Sequence, residues 1–218
     1  SSDLEASTTF DANDIVVFNG SGTITQAPLT ITANDDARFV TVADTVNFNG
    51  FTYTGFVGGE TAANLTTSPT ITRTSGSGNV GSAGWYPSDL VPSGAASGNY
   101  SIRYVNGNFT IVGANELLIR MANTSAVYGA APTYTLTSAS YILSSGATPV
   151  ELTNAANGSA TVSASGTVSL SDTSGGTTGT LDLVAVNASV STTGKLNAGG
   201  YQLGASNVAL SNTANFSG

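Results

Sequence analysis

Gly98 to Asn123 reads GNYSIRYVNGNFTIVGANELLIRMAN. Two alternating runs, Ser101 to Val105 and Asn108 to Val112, flank Asn106-Gly107. Alternation with period two marks half-buried strands, and Asn-Gly between such runs predicts a two-residue type I′ hairpin, because both residues tolerate positive φ. A short linker, Gly113 to Asn115, then leads into Leu117-x-Ile119-x-Met121, a further alternating strand. The same order occurs earlier: Asp11 to Asp35 reads DANDIVVFNGSGTITQAPLTITAND. Ile15 aligns with Ile102, Asn19-Gly20 with Asn106-Gly107, and Ile24 with Ile111. Leu29-x-Ile31-x-Ala33 aligns with the strand after the linker.

A second echo places the rest of the unit. AGWYPSDLVPSGAASGNYS begins at Ala83 and AGGYQLGASNVALSNTANFS at Ala198. Ala83, Gly84 and Tyr86 match Ala198, Gly199 and Tyr201, and Asn99-Tyr100 matches Asn215-Phe216 one residue out of step. Units of this size are domains rather than solenoid coils. The frame they give is a lead-in with the closing hairpin of a preceding repeat over residues 1–26, a first module over 27–113 and a longer second module over 114–218. On this frame the chain is cut out of phase, with the second module stopping where its own closing hairpin should begin. The hairpin at 15–24 is expected to dock on the first module and bury Ile15, Val17 and Ile24.

Composition narrows the function. The chain has 26 Gly, is rich in Ser and Thr, and has few charges, a mix that favours turns and short strands over helices. Its net charge is −8, and its four Arg (Arg38, Arg73, Arg103, Arg120) and single Lys (Lys195) are scattered in sequence. Nucleic acid is excluded as a partner, because phosphate binding needs clustered cations. No apolar run is long enough to insert in a membrane, and no signal peptide is visible. There is no Cys and no His, which removes thiolate metal sites, disulfides and every His-based catalytic arrangement.

Phe51-x-Tyr53 and Thr70-x-Thr72 read as strands of the first module, with one short helical turn in Gly59 to Leu65. Tyr134-x-Leu136, Tyr141-x-Leu143, Ala160-x-Val162, Val168-x-Leu170 and Leu181-x-Leu183-x-Ala185 read as strands of the second, with an inserted hairpin near 155–185. The expected fold is all-β: two tandem sandwich-like or grasp-like modules forming an elongated rod. The rival is a parallel β-helix in the C-terminal part, although no repeat of coil length persists there.

Leu29 to Asn34, Gly84-Trp85-Tyr86-Pro87, Gly98-Asn99-Tyr100 and Tyr104-Val105-Asn106-Gly107 fall in an order that resembles MBG domains and the related YDG modules. These are Gly-rich β repeats of large bacterial secreted adhesins, including filamentous-haemagglutinin-like proteins of two-partner secretion. Ala126-Val127-Tyr128-Gly129 is similar to the Tyr-Gly element near the start of such repeats, and the corresponding place in the first module reads Ala37-Arg38-Phe39-Val40. The resemblance implies a secreted or cell-surface stalk that supports attachment or biofilm aggregation. It implies no known chemistry.

Few residues invite a site. Asp11, Asn13 and Asp14 form one acidic cluster and Asn34, Asp35 and Asp36 another. Hard cations need several oxygen ligands, so Ca²⁺ at Asp11, Asn13, Asp14, Asp35 and Asp36 is the candidate metal site, against the plain reading that such residues cap turns. No other cofactor is expected. Trp85, beside Pro87 in what reads as an exposed loop, is the candidate for stacking on a glycan, whereas the recurrence of Tyr86 as Tyr201 favours a core role. No acid pair or Ser-Lys pair stands in a catalytic pattern, so no enzyme is expected. The expected partner is a host or matrix glycan or protein, or a further copy of the chain.

Overall fold

In a computed structural model the described residues are 21–78, 81–130, 132–143, 148–152, 160–162, 167–171, 178–186 and 188–210. They form fourteen strands and one 3-10 turn, Ala62–Asn64, inside the predicted helical stretch. The first module holds β1 (Ala27–Ala33), β2 (Asp36–Phe39), β3 (Phe51–Thr54), β4 (Thr70–Arg73), β5 (Gly84–Ser93), β6 (Tyr100–Val105) and β7 (Gly107–Val112). The second holds β8 (Leu117–Met121), β9 (Tyr134–Tyr141), β10 (Val150–Glu151), β11 (Ala160–Val162), β12 (Thr167–Ser171), β13 (Thr178–Val186) and β14 (Gln202–Leu210).

The first module is two sheets, ordered β3-β1-β6 and β2-β7-β5-β4. Asn106-Gly107 is not the hairpin turn that the sequence predicts. β6 and β7 never pair with each other: β6 runs parallel to β1, and β7 runs parallel to β2 and antiparallel to β5. The same 73-residue offset joins Thr32 to Val105 and Asp36 to Phe109, so two strand paths run side by side from one sheet into the next. Gly107 is needed there for space rather than for φ. A Cβ on it would lie 2.5 Å from the Ala33 carbonyl oxygen and 3.0 Å from that of Asn34. Close backbone approach is a second reason for glycine in a strand, and sequence alone does not separate it from a turn.

Alternation along these strands builds the core. Leu29, Ile31 and Tyr100 are buried under Phe51, Tyr53 and Phe56, and Ala33, Ile71, Leu90, Phe109 and Ile111 are buried with Phe48 and Tyr86 beside them. Phe51 touches both groups and joins them into one interior. β1 is paired on both edges, by β3 and β6, so neither of its own edges is open to the preceding segment. Residues 21–26 belong to no strand, and Ile24 is 100% exposed rather than buried as expected. The remainder of that expected hairpin, Ile15 to Gly20, lies outside the described residues.

In the second module β8 pairs β9, which also takes β10 and β11, while β12, β13 and β14 form an antiparallel meander. Every described strand pair from Leu117 onward is antiparallel, so among the described residues there is no parallel β-helix of the kind considered for this part: its coils would pair in parallel. Leu136, Ala139, Tyr141, Leu152, Leu181 and Leu183 make its core. Phe216, the sequence match of the buried Tyr100, lies outside the described residues. A further cluster of Phe39, Val112 and Ile142 joins the two modules, and Arg120 of β8 bonds the Asp36 carboxylate at 2.7 Å. Among the described residues no helix is long and apolar enough to cross a membrane.

The repeat read from Ala83 and Ala198 is also a repeat of geometry. Gly84 and Gly199 share φ values of 154° and 158°. The Tyr86 hydroxyl donates to the Ser82 carbonyl at 2.7 Å, and the Tyr201 hydroxyl donates to that of Asn197 at 2.6 Å, each four residues upstream. The turn in which Ala130 N–H meets the Val127 carbonyl repeats that of Val42 and Phe39. It places Val127, not Tyr128, at the position of Phe39, one residue from the alignment that the sequence favours.

Candidate functional site

The expected calcium residues of the first module are held by protein groups. Asp35 accepts from the Asn108 backbone N–H at 2.7 Å and from the Asn108 side-chain amide at 3.1 Å. Asp36 accepts from Ala37 N–H and from Arg120, both at 2.7 Å, and Arg120 also donates to the Ala37 carbonyl. Asp35 precedes β2 and Asp36 opens it, and the two carboxylates serve different partners, Asn108 for one and Ala37 with Arg120 for the other. Among the described residues no group of three His, Cys, Asp or Glu is close enough to hold a metal. Asp11, Asn13 and Asp14 lie outside the described residues.

Trp85 stands on β5 and not in a loop, opposite Thr110 of β7. It is 66% exposed, while its neighbour Tyr86 turns inward against the core. Alternation puts successive side chains on opposite faces, which explains why one aromatic packs and the other faces solvent. After Tyr86 the register shifts before pairing resumes at Leu90, and Ser88 takes φ 54°. Asn106 and Asn108 hold that bulge, one donating to the Ser88 carbonyl at 3.1 Å and the other accepting from its N–H at 3.0 Å. The indole is therefore offered from a braced strand, as a flat apolar surface beside polar amides.

A charge cluster in the first module escapes the sequence reading. Asp44 accepts from Arg38 at 2.7 Å and from Arg73 at 3.0 Å, and Arg73 lies 3.8 Å from Asp89. Arg73 also stacks 4.8 Å over the Phe109 ring, with Arg38 at 5.8 Å. Burial pushes the Asp89 carboxyl up, but hydrogen bonds from the Ser75 and Thr74 hydroxyls and the Ser75 N–H, with the Arg73 charge, hold it below the ordinary carboxylate range. Two cations and two anions, each with several hydrogen bonds, form a neutral buried network that fixes the geometry of the loop at Asp44. A separate contact closes the opposite sheet, where Tyr100 donates to Glu60 and accepts from Val57 N–H at 3.2 Å. That bond to a carboxylate raises the phenol of Tyr100 above its ordinary value.

The second module carries a cleft of about 400 Å³ between residues 123–128 and residues 196–203. Tyr128, Tyr134 and Tyr201 lie along it together with Asn123, Thr124 and Asn197, and none of its lining residues is charged.

One family model, that of the MBG domain (YGX type), matches residues 29–110. Those residues run from the first buried leucine of β1 to the centre of β7. No curated protein and no solved structure matches the chain.

Proposed function

We propose, from the match of residues 29–110 to the MBG domain (YGX type), that the chain is a structural, adhesive stalk segment of a large bacterial surface or secreted adhesin. MBG domains are associated with large proteins of the surface-adhesin type. The observation that carries the reading is the recurrence, in the second module, of the glycine and hydroxyl-to-carbonyl tyrosine of the first. Two modules with the same local device, joined through Phe39, Val112 and Ile142, suit a segment that transmits position. The role is non-catalytic and extracellular. Support comes from a chain with neither His nor Cys and from carboxylates used by internal donors.

A second reading makes the segment itself a glycan-binding module, and the exposed Trp85 favours it. Carbohydrate rings stack on such a face through dispersion and C–H contacts, while nearby amides bond hydroxyls. Beads carrying the chain, bare beads and beads carrying Trp85→Ala separate the two on matrix and host-cell glycans. The stalk reading expects equal, low retention of all three, with cell attachment restored only when a binding tip is fused. Retention by the parent chain that Trp85→Ala lowers at least tenfold replaces it with the glycan reading.

A further inference from the structure

The junction between the modules holds a pocket of about 160 Å³. Its first-module wall is β2 with the loop that follows, including Asp36, Phe39 and Phe48. Its second-module wall is a row across three strands: Leu118 of β8, Ser140 of β9 and Glu151 of β10, which are register partners. Alternation sets the direction of that row. Ala139 and Tyr141 are buried in the second module's core, so Ser140 between them turns the other way, toward the first module. Leu118, opposite Ser140, packs against the cluster of Phe39, Val112 and Ile142.

Two groups on that wall have unmet bonding capacity. Ser140 is 5% exposed, and its hydroxyl bonds no group among the described residues. A buried hydroxyl without a protein partner is ordinarily answered by a bound polar group. Among the same residues the Glu151 carboxylate has neither an ion pair nor a hydrogen bond. The other charges of the lining cancel. Asp36 pairs with Arg120, and Arg38 and Asp44 belong to the neutral network that includes Arg73 and Asp89. Glu151 therefore leaves the pocket one net negative charge. Arg120 does not supply the missing cation, because Asp36 and the Ala37 carbonyl, both on the opposite wall, hold its guanidinium.

We propose that this pocket binds a small primary ammonium, whose N–H groups bridge the Ser140 hydroxyl and the Glu151 carboxylate while its short carbon chain lies on Leu118 and Phe48. Side chains of cross-strand partners start about 5 Å apart, a span that one nitrogen can bridge. An ammonium carries three donors and a full charge, which answer a hydroxyl oxygen and a lone carboxylate together. Phe39, Phe48 and Leu118 add apolar surface that a hydrated metal ion does not use. Among the described residues no group of three His, Cys, Asp or Glu could hold a metal there. At about 30 Å³ for each water-sized group, the volume admits roughly five, which suits an amine of about four carbons. The ligand touches both modules and braces their junction. Neither the stalk reading nor the glycan reading depends on this site.

Backbone amide shifts of the isotope-labelled full chain read the site directly. n-Butylammonium chloride should move the amides of Leu118, Ser140 and Glu151 along a saturating curve. Potassium chloride and tetramethylammonium chloride, at matched ionic strength, should not. Glu151→Gln, a change at an exposed residue, should weaken binding at least tenfold. Ser140→Ala should also weaken it measurably, yet melt no lower than the parent without ligand, because it deletes a hydroxyl that no protein group bonds. Equal shifts with potassium would mark an inorganic cation site, and equal shifts with tetramethylammonium a site that reads charge without donors; either overturns the proposal. So does a curve that Glu151→Gln or Ser140→Ala leaves unchanged, the absence of a saturating curve, or a lower melting temperature for Ser140→Ala, which would show that its hydroxyl already has a partner.

Discussion

Asp35 and Asn108 lie side by side where two strand paths cross from one sheet to the other. The carboxylate takes both the backbone N–H and the side-chain amide of Asn108, at 2.7 and 3.1 Å. The opposite side of the same amide holds the Ser88 bulge. One asparagine thus ties β2, β7 and the outward-turning part of β5 together. Asp35→Ala should cost about 1–2 kcal/mol, because two bonds to an ionised group are lost at a partly hydrated site. Urea unfolding would measure it, and a cost near zero would show that the crossing is held by packing alone.

Gly107→Ala should destabilise by about 2–3 kcal/mol, since its Cβ would press on two backbone carbonyl oxygens that cannot rotate away. Gly98→Ala is the matched comparison, with nothing within 4 Å of the added carbon. Similar midpoints for the two variants in denaturant would contradict the crossing geometry.

Acid stability reports on Asp89. Its carboxyl titrates lower when folded than when unfolded, so its contribution is fully present above the unfolded value of about 4 and is lost as pH falls through the folded value. Asp89→Asn should lower stability at neutral pH by about 3 kcal/mol, as it breaks a buried charged network. It should also flatten the fall in melting temperature below about pH 4. Parallel pH profiles for parent and variant would show that other groups control acid unfolding.

Tyr86→Phe and Tyr201→Phe remove matching bonds, each from a hydroxyl to a carbonyl four residues upstream. Each should cost about 1 kcal/mol, the ordinary net value of such a bond. Thermal melts of the two variants should agree within about half that figure. A cost for one alone would mean that the repeat of geometry is not a repeat of energetics.

Ile142→Ala tests the junction. Ile142 is buried against Phe39 and Val112 of the first module, and truncating such a side chain costs about 2–5 kcal/mol. The loss should split unfolding into two transitions by loosening one module from the other. A single cooperative transition with an ordinary slope would place the coupling elsewhere, for example at Arg120 and Asp36.

Sequence alone determined the class, the likeness of the first module to MBG domains and most strand positions. Alternation at Leu29-Ile31-Ala33, Phe51-Tyr53, Leu117-Ile119-Met121 and Leu181-Leu183-Ala185 is a local property, and it becomes β1, β3, β8 and β13. The echo of Ala83 at Ala198 was legible because a positive-φ glycine and a tyrosine two residues on are fixed by local backbone geometry. Partner choice is not local. Whether Asn106-Gly107 turns or runs straight depends on Ala33 and Asn34, more than seventy residues away, which leave room only for hydrogen at Gly107. Trp85 appeared to lie in a loop because Pro87 breaks the alternation, and only the bulge held by Asn106 and Asn108 keeps β5 a strand. Arg38, Asp44, Arg73 and Asp89 are scattered in sequence and meet around Phe109 only once the strands are stacked, because ion pairing follows distance in space, not distance along the chain.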